Sequence, residues 1–186
     1  MKIDKSAFYE ELRTRLKGLT TSQVDGFEAV LDGADGAPLS HQAYMLATAF
    51  WETNKTMQPV IEAYWLSEAW RKKNLRYYPW YGRGYVQLTW EANYRKADEE
   101  LGLHGELLAK PENVCKPHIA AEIMRRGMDE GWFTGVKLSS CLPSKGVATR
   151  KQYMKARTII NGWDKADEIE DYAQIFERAL RVGGIL

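Results

Sequence analysis

Residues 40–53, SHQAYMLATAFWET, decide the fold. Ala43, Leu46, Ala47 and Phe50 fall at i, i+3, i+4 and i+7, the spacing that lays a continuous apolar stripe along one side of an α-helix. The segment predicts a buried helix ending at Glu52, a carboxylate that directly follows two aromatic residues. The same rhythm recurs upstream. Phe8, Leu12 and Leu16 predict a helix over 6–17 with Ser6 as N-cap and Gly18 as stop, and Thr20 with Gln23 has the pattern of a capping box for a second helix through Val24, Phe27, Val30 and Leu31. That helix is expected to end in the glycine turn at 33–36. Downstream, helices are expected over Glu91–Leu101, Pro117–Glu130 with proline in the first turn, Thr149–Ile160 and Ala166–Leu180. YGRGYVQLTW, residues 81–90, alternates Tyr85, Gln87 and Thr89 against Val86, Leu88 and Trp90, which predicts a short strand or hairpin entered through a glycine turn. The stretch from Thr53 to Trp80 has weak periodicity and reads as loop and short turns.

These elements describe a mainly α domain with one small β element. The 186 residues are enough to bury a core without staples, and neither an internal repeat nor a long Gly/Ser/Pro linker divides them, so one domain over 1–186 is expected. The composition, 45% hydrophobic and 27% charged, is that of a globular protein, and no apolar run approaches the ~18 residues of a membrane span. The opening residues do not form the apolar run of a secretory signal, so synthesis in a cytoplasm is expected. Cys115 and Cys141 lack metal-ligand spacing and read as free thiols, and His41, His104 and His118 are scattered. Neither a metal nor another cofactor is expected. The net charge of +1 conceals a basic run, Lys137, Lys145, Arg150, Lys151, Lys155 and Arg157, with no acid among them, followed by an acid-rich segment from Asp164 to Asp171. A charge near zero and no recognised motif argue against a nucleic-acid partner.

Glu52 and Glu62 are the candidate catalytic pair. Glycoside hydrolysis uses two carboxyl groups in different surroundings, one held protonated to donate to the leaving oxygen and one ionised. Glu52, behind Phe50 and Trp51, is expected in an apolar setting that favours its neutral form, while Glu62 lies beyond Pro59 in a wetter loop. By position alone they are two of 25 acidic residues. The concentration of rings between Trp51 and Trp90 strengthens the reading, because sugars stack on aromatic faces, although Phe50 and Trp90 are expected to fill the core.

Glu52-Thr53, then Thr56-Met57-Gln58-Pro59, YGRGYVQLTWEANY at 81–94 and ARTIINGWDKADEIEDYAQIFERAL near the C-terminus together resemble glycoside hydrolase family nineteen, in particular its phage endolysin branch. The resemblance implies a lysozyme-like, two-lobed helical fold with a small β-hairpin and a central cleft. It implies that Glu52 is the general acid and Glu62 the general base of an inverting hydrolysis, with Glu68 as the alternative base. It places Gln87, Thr89, Asn93 and Asn161 in the cleft and counts Tyr81 and Arg83 with them as substrate-binding, with Gly82, Arg83 and Gly84 forming the turn that shapes its floor. Arg83 is expected either to pair with a carboxylate near the acid or to touch substrate. One departure is Trp51, where many members have histidine. The family's substrates are chitin and peptidoglycan, and few cysteines with no signal favour peptidoglycan cleaved in the manner of a muramidase. The expected protein is a monomeric lysin made in the bacterial host cytoplasm and acting on the wall after release, with Lys137–Arg157 touching the anionic outer envelope.

Overall fold

The computed structural model describes residues 3–186. Helix α1 spans Lys5–Leu16, α2 Thr21–Gly33 and α3 Leu39–Glu52. Asp4, not Ser6, caps α1: its side chain accepts from Ala7 N at 3.2 Å, and Ser6 lies inside the first turn. The α2 capping box is present, with Gln23 N donating to Thr20 Oγ1 at 3.1 Å and Thr20 N to Gln23 Oε1 at 2.8 Å. Every residue of α3 from Leu39 to Phe50 is buried, more than the predicted stripe, because helices close on it from several sides.

Segment 53–80 holds two elements that its weak periodicity did not predict. Val60–Ile61 forms strand β1, and Glu68–Asn74 forms helix α4, capped by Ser67 accepting from Trp70 N at 3.1 Å. In α4 the buried side chain is Arg71, so no apolar repeat announces the helix. The predicted hairpin shrinks to strand β2, Arg83–Gly84, whose ladder partner is β1: Val60 faces Gly84 and Ile61 faces Arg83, antiparallel. A bridge from Arg83 to Leu88 closes the turn, and Gln87 stands at φ 53 within it, which breaks the alternation expected of 85–90.

Helix α5 covers Glu91–Glu100, a four-residue α6 Glu106–Ala109, α7 Pro117–Glu130, α8 Arg150–Ala156 and α9 Ala166–Val182. Three 3₁₀ turns lie at Pro111–Cys115, Leu138–Ser140 and Arg157–Ile159; the last replaces the final turn of the helix expected over 149–160. The elements fall into two groups. In one, α9 lies along α3, α1 and α8, and α2 packs on α3. In the other, β1, β2, α5, α6 and the 111–115 turn pack together, and α7 joins the groups by touching α2, β2 and that turn. Stacked and edge-on rings of Phe27, Phe50, Tyr172 and Phe176 fill the contact of α2, α3 and α9, with centroids 4.9–6.5 Å apart.

Candidate active site

Glu52 is the last residue of α3, and Phe50 and Trp51 do not surround its carboxylate. Successive helical residues diverge by about 100°, so their rings turn to Tyr172 and Phe176 of α9 while Glu52 points elsewhere. The expected apolar setting is therefore replaced by a cation. Arg157, 3% exposed, donates from Nη1 to Glu52 Oε1 at 2.6 Å and from Nε to the Asp164 carbonyl at 2.8 Å. This arginine ties the end of α3 to the 161–164 loop, where Asn161 and Trp163 are exposed. The chain after Glu52 is pinned by Thr53, which donates to the Ala49 carbonyl at 2.7 Å and accepts from Met57 N at 3.0 Å.

Glu62 follows β1 and belongs to a separate network. Its Oε1 accepts from the Tyr77 hydroxyl at 2.6 Å and its Oε2 from Gly82 N at 2.9 Å, while Glu62 N donates to the Gly82 carbonyl at 2.7 Å. The hydrogen bond to Glu62 and partial burial push the Tyr77 phenol up to about 12, so Tyr77 stays a donor at neutral pH. Gly82 is required here: a Cβ would stand 2.6 Å from Gln87 Oε1 and 3.3 Å from Glu62 Oε2, so the glycine lets both side chains flank the turn. Gln87 Nε2 donates to the Val60 carbonyl at 3.3 Å, Thr89 Oγ1 to the Gln87 carbonyl at 2.8 Å, and Asn93 Nδ2 to the Thr89 carbonyl at 2.8 Å. The structure thus brings Glu62, Gln87, Thr89 and Asn93 into one region and sets Asn161 beside the Glu52–Arg157 pair.

Tyr81 and Arg83, expected to bind substrate, are each 4% exposed and lie beneath the site. Arg83 Nη1 donates to the Pro79 and Tyr81 carbonyls and to the Tyr94 hydroxyl, and its guanidinium lies 3.7 Å over the Tyr81 ring. It makes no ion pair with a carboxylate among the described residues, so the expected pairing with a carboxylate near the acid is absent. Glu68, the alternative base, starts α4 and accepts at 2.9 Å from both Arg71 Nε and the Tyr81 hydroxyl. Burial alone would raise its carboxyl, but the hydrogen bonds from Arg71, Tyr81 and Tyr78 hold it below the ordinary range.

Of the aromatic residues, Phe50 and Tyr85 are core, as is Tyr81, while Tyr64, Trp65, Trp70 and Trp90 are exposed. Trp90, expected in the core, is 44% exposed and packs on Tyr77 at 5.0 Å, beside the Glu62 network. The sequence reading missed Tyr77 and Arg157; the former was one ring among many and the latter was counted with a basic run.

No protein-family model matches the sequence, and no curated protein does. Solved structures do match in shape. Chitinase C from Streptomyces griseus HUT6037 aligns over 98% of this chain and 76% of its own with a TM-score of 0.56 and 18% identity. A bacterial family 19 chitinase aligns over 99% and 96% with a TM-score of 0.53 and 20% identity. A point mutant of chitinase C aligns over 98% and 76%, at 0.55 and 17%. This chain therefore has the mainly α, lysozyme-like fold of the bacterial family 19 chitinases.

Proposed function

We propose that the chain is a glycoside hydrolase that cleaves β-1,4 bonds between N-acetylhexosamines, with Glu52 as general acid and Glu62 as general base. The observation that carries the reading is the pair of separate networks: Glu52 bound to a buried guanidinium, Glu62 bound to a phenol and a backbone N–H beside exposed rings. Two carboxyl groups in unlike surroundings can divide the work. Glu52 gives its proton to the glycosidic oxygen as the bond to the anomeric carbon breaks, and Arg157 stabilises the carboxylate that this leaves behind. Glu62 takes a proton from the water that attacks that carbon from the opposite face, which yields an inverted hemiacetal. Gln87, Thr89, Asn93 and Asn161 supply hydrogen bonds for sugar hydroxyls and acetamido groups.

Bacterial peptidoglycan is the substrate we favour, and an endolysin the class, because the sequence resembles that branch of the family. Chitin is the second reading, favoured by the solved structures that share the fold. Mass spectrometry of the products from purified sacculi and from chitin decides between them, and product NMR gives the anomer. Glu52→Gln should lower hydrolysis by ~10²-fold to 10⁴-fold with the fold intact; a variant keeping a tenth of the activity removes Glu52 from the mechanism.

The basic run is smaller in space than in sequence. Arg157 is consumed by Glu52, and Arg150 lies 3.2 Å from Glu170 and 3.4 Å from Asp167. Exposed Lys137, Lys145, Lys151 and Lys155 remain; Lys155 donates to the Ser140 carbonyl at 3.0 Å, which brings α8 against the 138–140 turn that Lys137 opens. These lysines are the part of the run that we assign to contact with an anionic envelope.

A further inference from the structure

Three arginines lie within the segment from α4 to β2, and they differ sharply. Arg71 is buried against Glu68 and the Ala63 and Leu66 carbonyls, and Arg83 is buried against carbonyls and Tyr94. Arg76 is exposed and makes no ion pair or hydrogen bond among the described residues. Its guanidinium stands 5.1 Å from the centre of the Trp90 ring, whose other neighbour is Tyr77 at 5.0 Å. Arg76 also bears on the Tyr77 hydroxyl that donates to Glu62. A free cation, an exposed indole and the candidate base thus form one continuous surface.

The indole is held there against backbone strain. Trp90 has φ 77 and ψ 138, a region that bulky side chains rarely adopt. Trp90 N donates to the Trp80 carbonyl at 2.8 Å, and Asn93 N donates to the Trp90 carbonyl at 3.0 Å, so both sides of the residue are fixed. The strained turn keeps a large ring on the surface, where an aromatic face accepts the apolar side of a pyranose.

We propose that Arg76 is a specificity-determining residue of this site: it binds a carboxylate carried on a substituent of the sugar that stacks on Trp90. The inference rests on the hydrolase reading above and extends it from the glycan to what hangs from it. Chitin offers no such group. In peptidoglycan the carboxylate comes either from the stem peptide or, where the stem has been removed, from the lactyl group of the muramic acid. A guanidinium poised over an aromatic ring can meet either with two parallel N–H donors. The contact exists before and during bond cleavage alike, so it acts on KM more than on kcat.

The test compares wild type, Arg76→Gln and Arg76→Lys on three substrates: stem-bearing glycan strands, strands stripped of peptide by an amidase, and a neutral chitin oligosaccharide. Arg76→Gln should raise KM on at least one kind of strand about tenfold more than on the oligosaccharide, the size of one partly exposed charged hydrogen bond. Arg76→Lys should recover part of it. Loss on both kinds of strand assigns a carboxylate reached in either state, loss on stem-bearing strands alone assigns the peptide, and loss on stripped strands alone assigns the lactyl group. Methyl esterification of the affected strands should reproduce the loss in wild type and leave Arg76→Gln indifferent. Equal losses on all three substrates would mean that Arg76 merely supports Trp90, and the proposal falls while the hydrolase reading stands. A wild type that cleaves only the neutral oligosaccharide would remove peptidoglycan and this inference together, and a wild type that cleaves none would remove the hydrolase reading itself.

Discussion

Gly26 tests how the loop behind Glu52 is seated. It lies in the middle of α2, and a Cβ added there would stand 1.8 Å from the Met57 carbonyl oxygen and 2.7 Å from both its carbonyl carbon and its Cβ. An ordinary carbon–oxygen approach is about 3.3 Å, so Gly26→Ala requires α2 and residue 57 to part by roughly 1.5 Å. Neither can move freely. Met57 is fully buried, its N–H donates to Thr53, and its carbonyl accepts from the Tyr85 hydroxyl at 3.2 Å. Two effects oppose each other: alanine improves helix propensity by about 1 kcal/mol, while overpacking against backbone costs about 1–3 kcal/mol and can exceed that range. At 1.8 Å the steric cost stands at the top of that range or beyond it, so after the gain in propensity the net loss is about 2 kcal/mol or more. For a chain of this length each kcal/mol lowers Tm by about 2–4 °C, so scanning calorimetry should show a fall of roughly 4–8 °C or more. Hydrolysis should fall as well, because the displaced turn begins one residue after Glu52. An unchanged or higher Tm would refute the packing argument.

Arg157→Met should destabilise the fold by about 3 kcal/mol in denaturant unfolding, the low end for breaking a buried pair because Glu52 keeps some access to water; an unmoved midpoint would show that the pair adds nothing. His41, buried on α3 with Nδ1 4.0 Å from Asp129, has its imidazole held below the ordinary value, chiefly by burial and also by Arg125, with Leu142 backbone and Asp129 partly offsetting. Below about pH 6.5 the unfolded chain then binds the proton more readily, so stability is lost as pH falls, and His41→Gln should flatten the decline of Tm between pH 7 and 5; an identical slope would exclude His41 as its source. Lys151→Glu with Lys155→Glu should weaken binding to intact bacterial cells at low salt and lose its effect near 1 M, where the Debye length is about 3 Å, while equal loss on a short neutral oligosaccharide would mean that α8 supports the cleft instead.

The helices were legible where hydrophobic spacing and end chemistry agree. Thr20 with Gln23 announces α2, and Pro117 in the first turn announces α7, which ends at Glu130 with Gly131 in the left-handed region. Helix α4 was hidden because its inward residue is an arginine saturated by two carbonyls and a carboxylate, which a hydropathy pattern counts as surface. The hairpin misled for a different reason. Alternation assumes extended backbone throughout, and Gln87 in the left-handed region reverses the chain so that Leu88 pairs back to Arg83.

The surroundings of Glu52 show where local reading of a helix goes astray. Phe50 and Trp51 are its neighbours in sequence, but the residues sharing its face of α3 are those four and eight positions earlier, Thr48 and Tyr44. Both are fully buried with hydroxyls that make no hydrogen bond to another element among the described residues, in a helix that buries Ser40, His41 and Gln42 in its first turn and is otherwise lined with Ala, Leu, Met and Phe. A polar stripe of this kind, at i, i+4 and i+8 along a buried helix, demands a polar partner from elsewhere in the fold, because uncompensated buried hydroxyls and carboxylates are costly. Arg157 meets the demand at the Glu52 end from 105 residues away. The partner's identity could not be read from any local motif, but the need for one was present in the sequence: the spacing Tyr44, Thr48, Glu52 points to a charged group at the end of α3 more directly than the two aromatic residues beside it point to an apolar pocket.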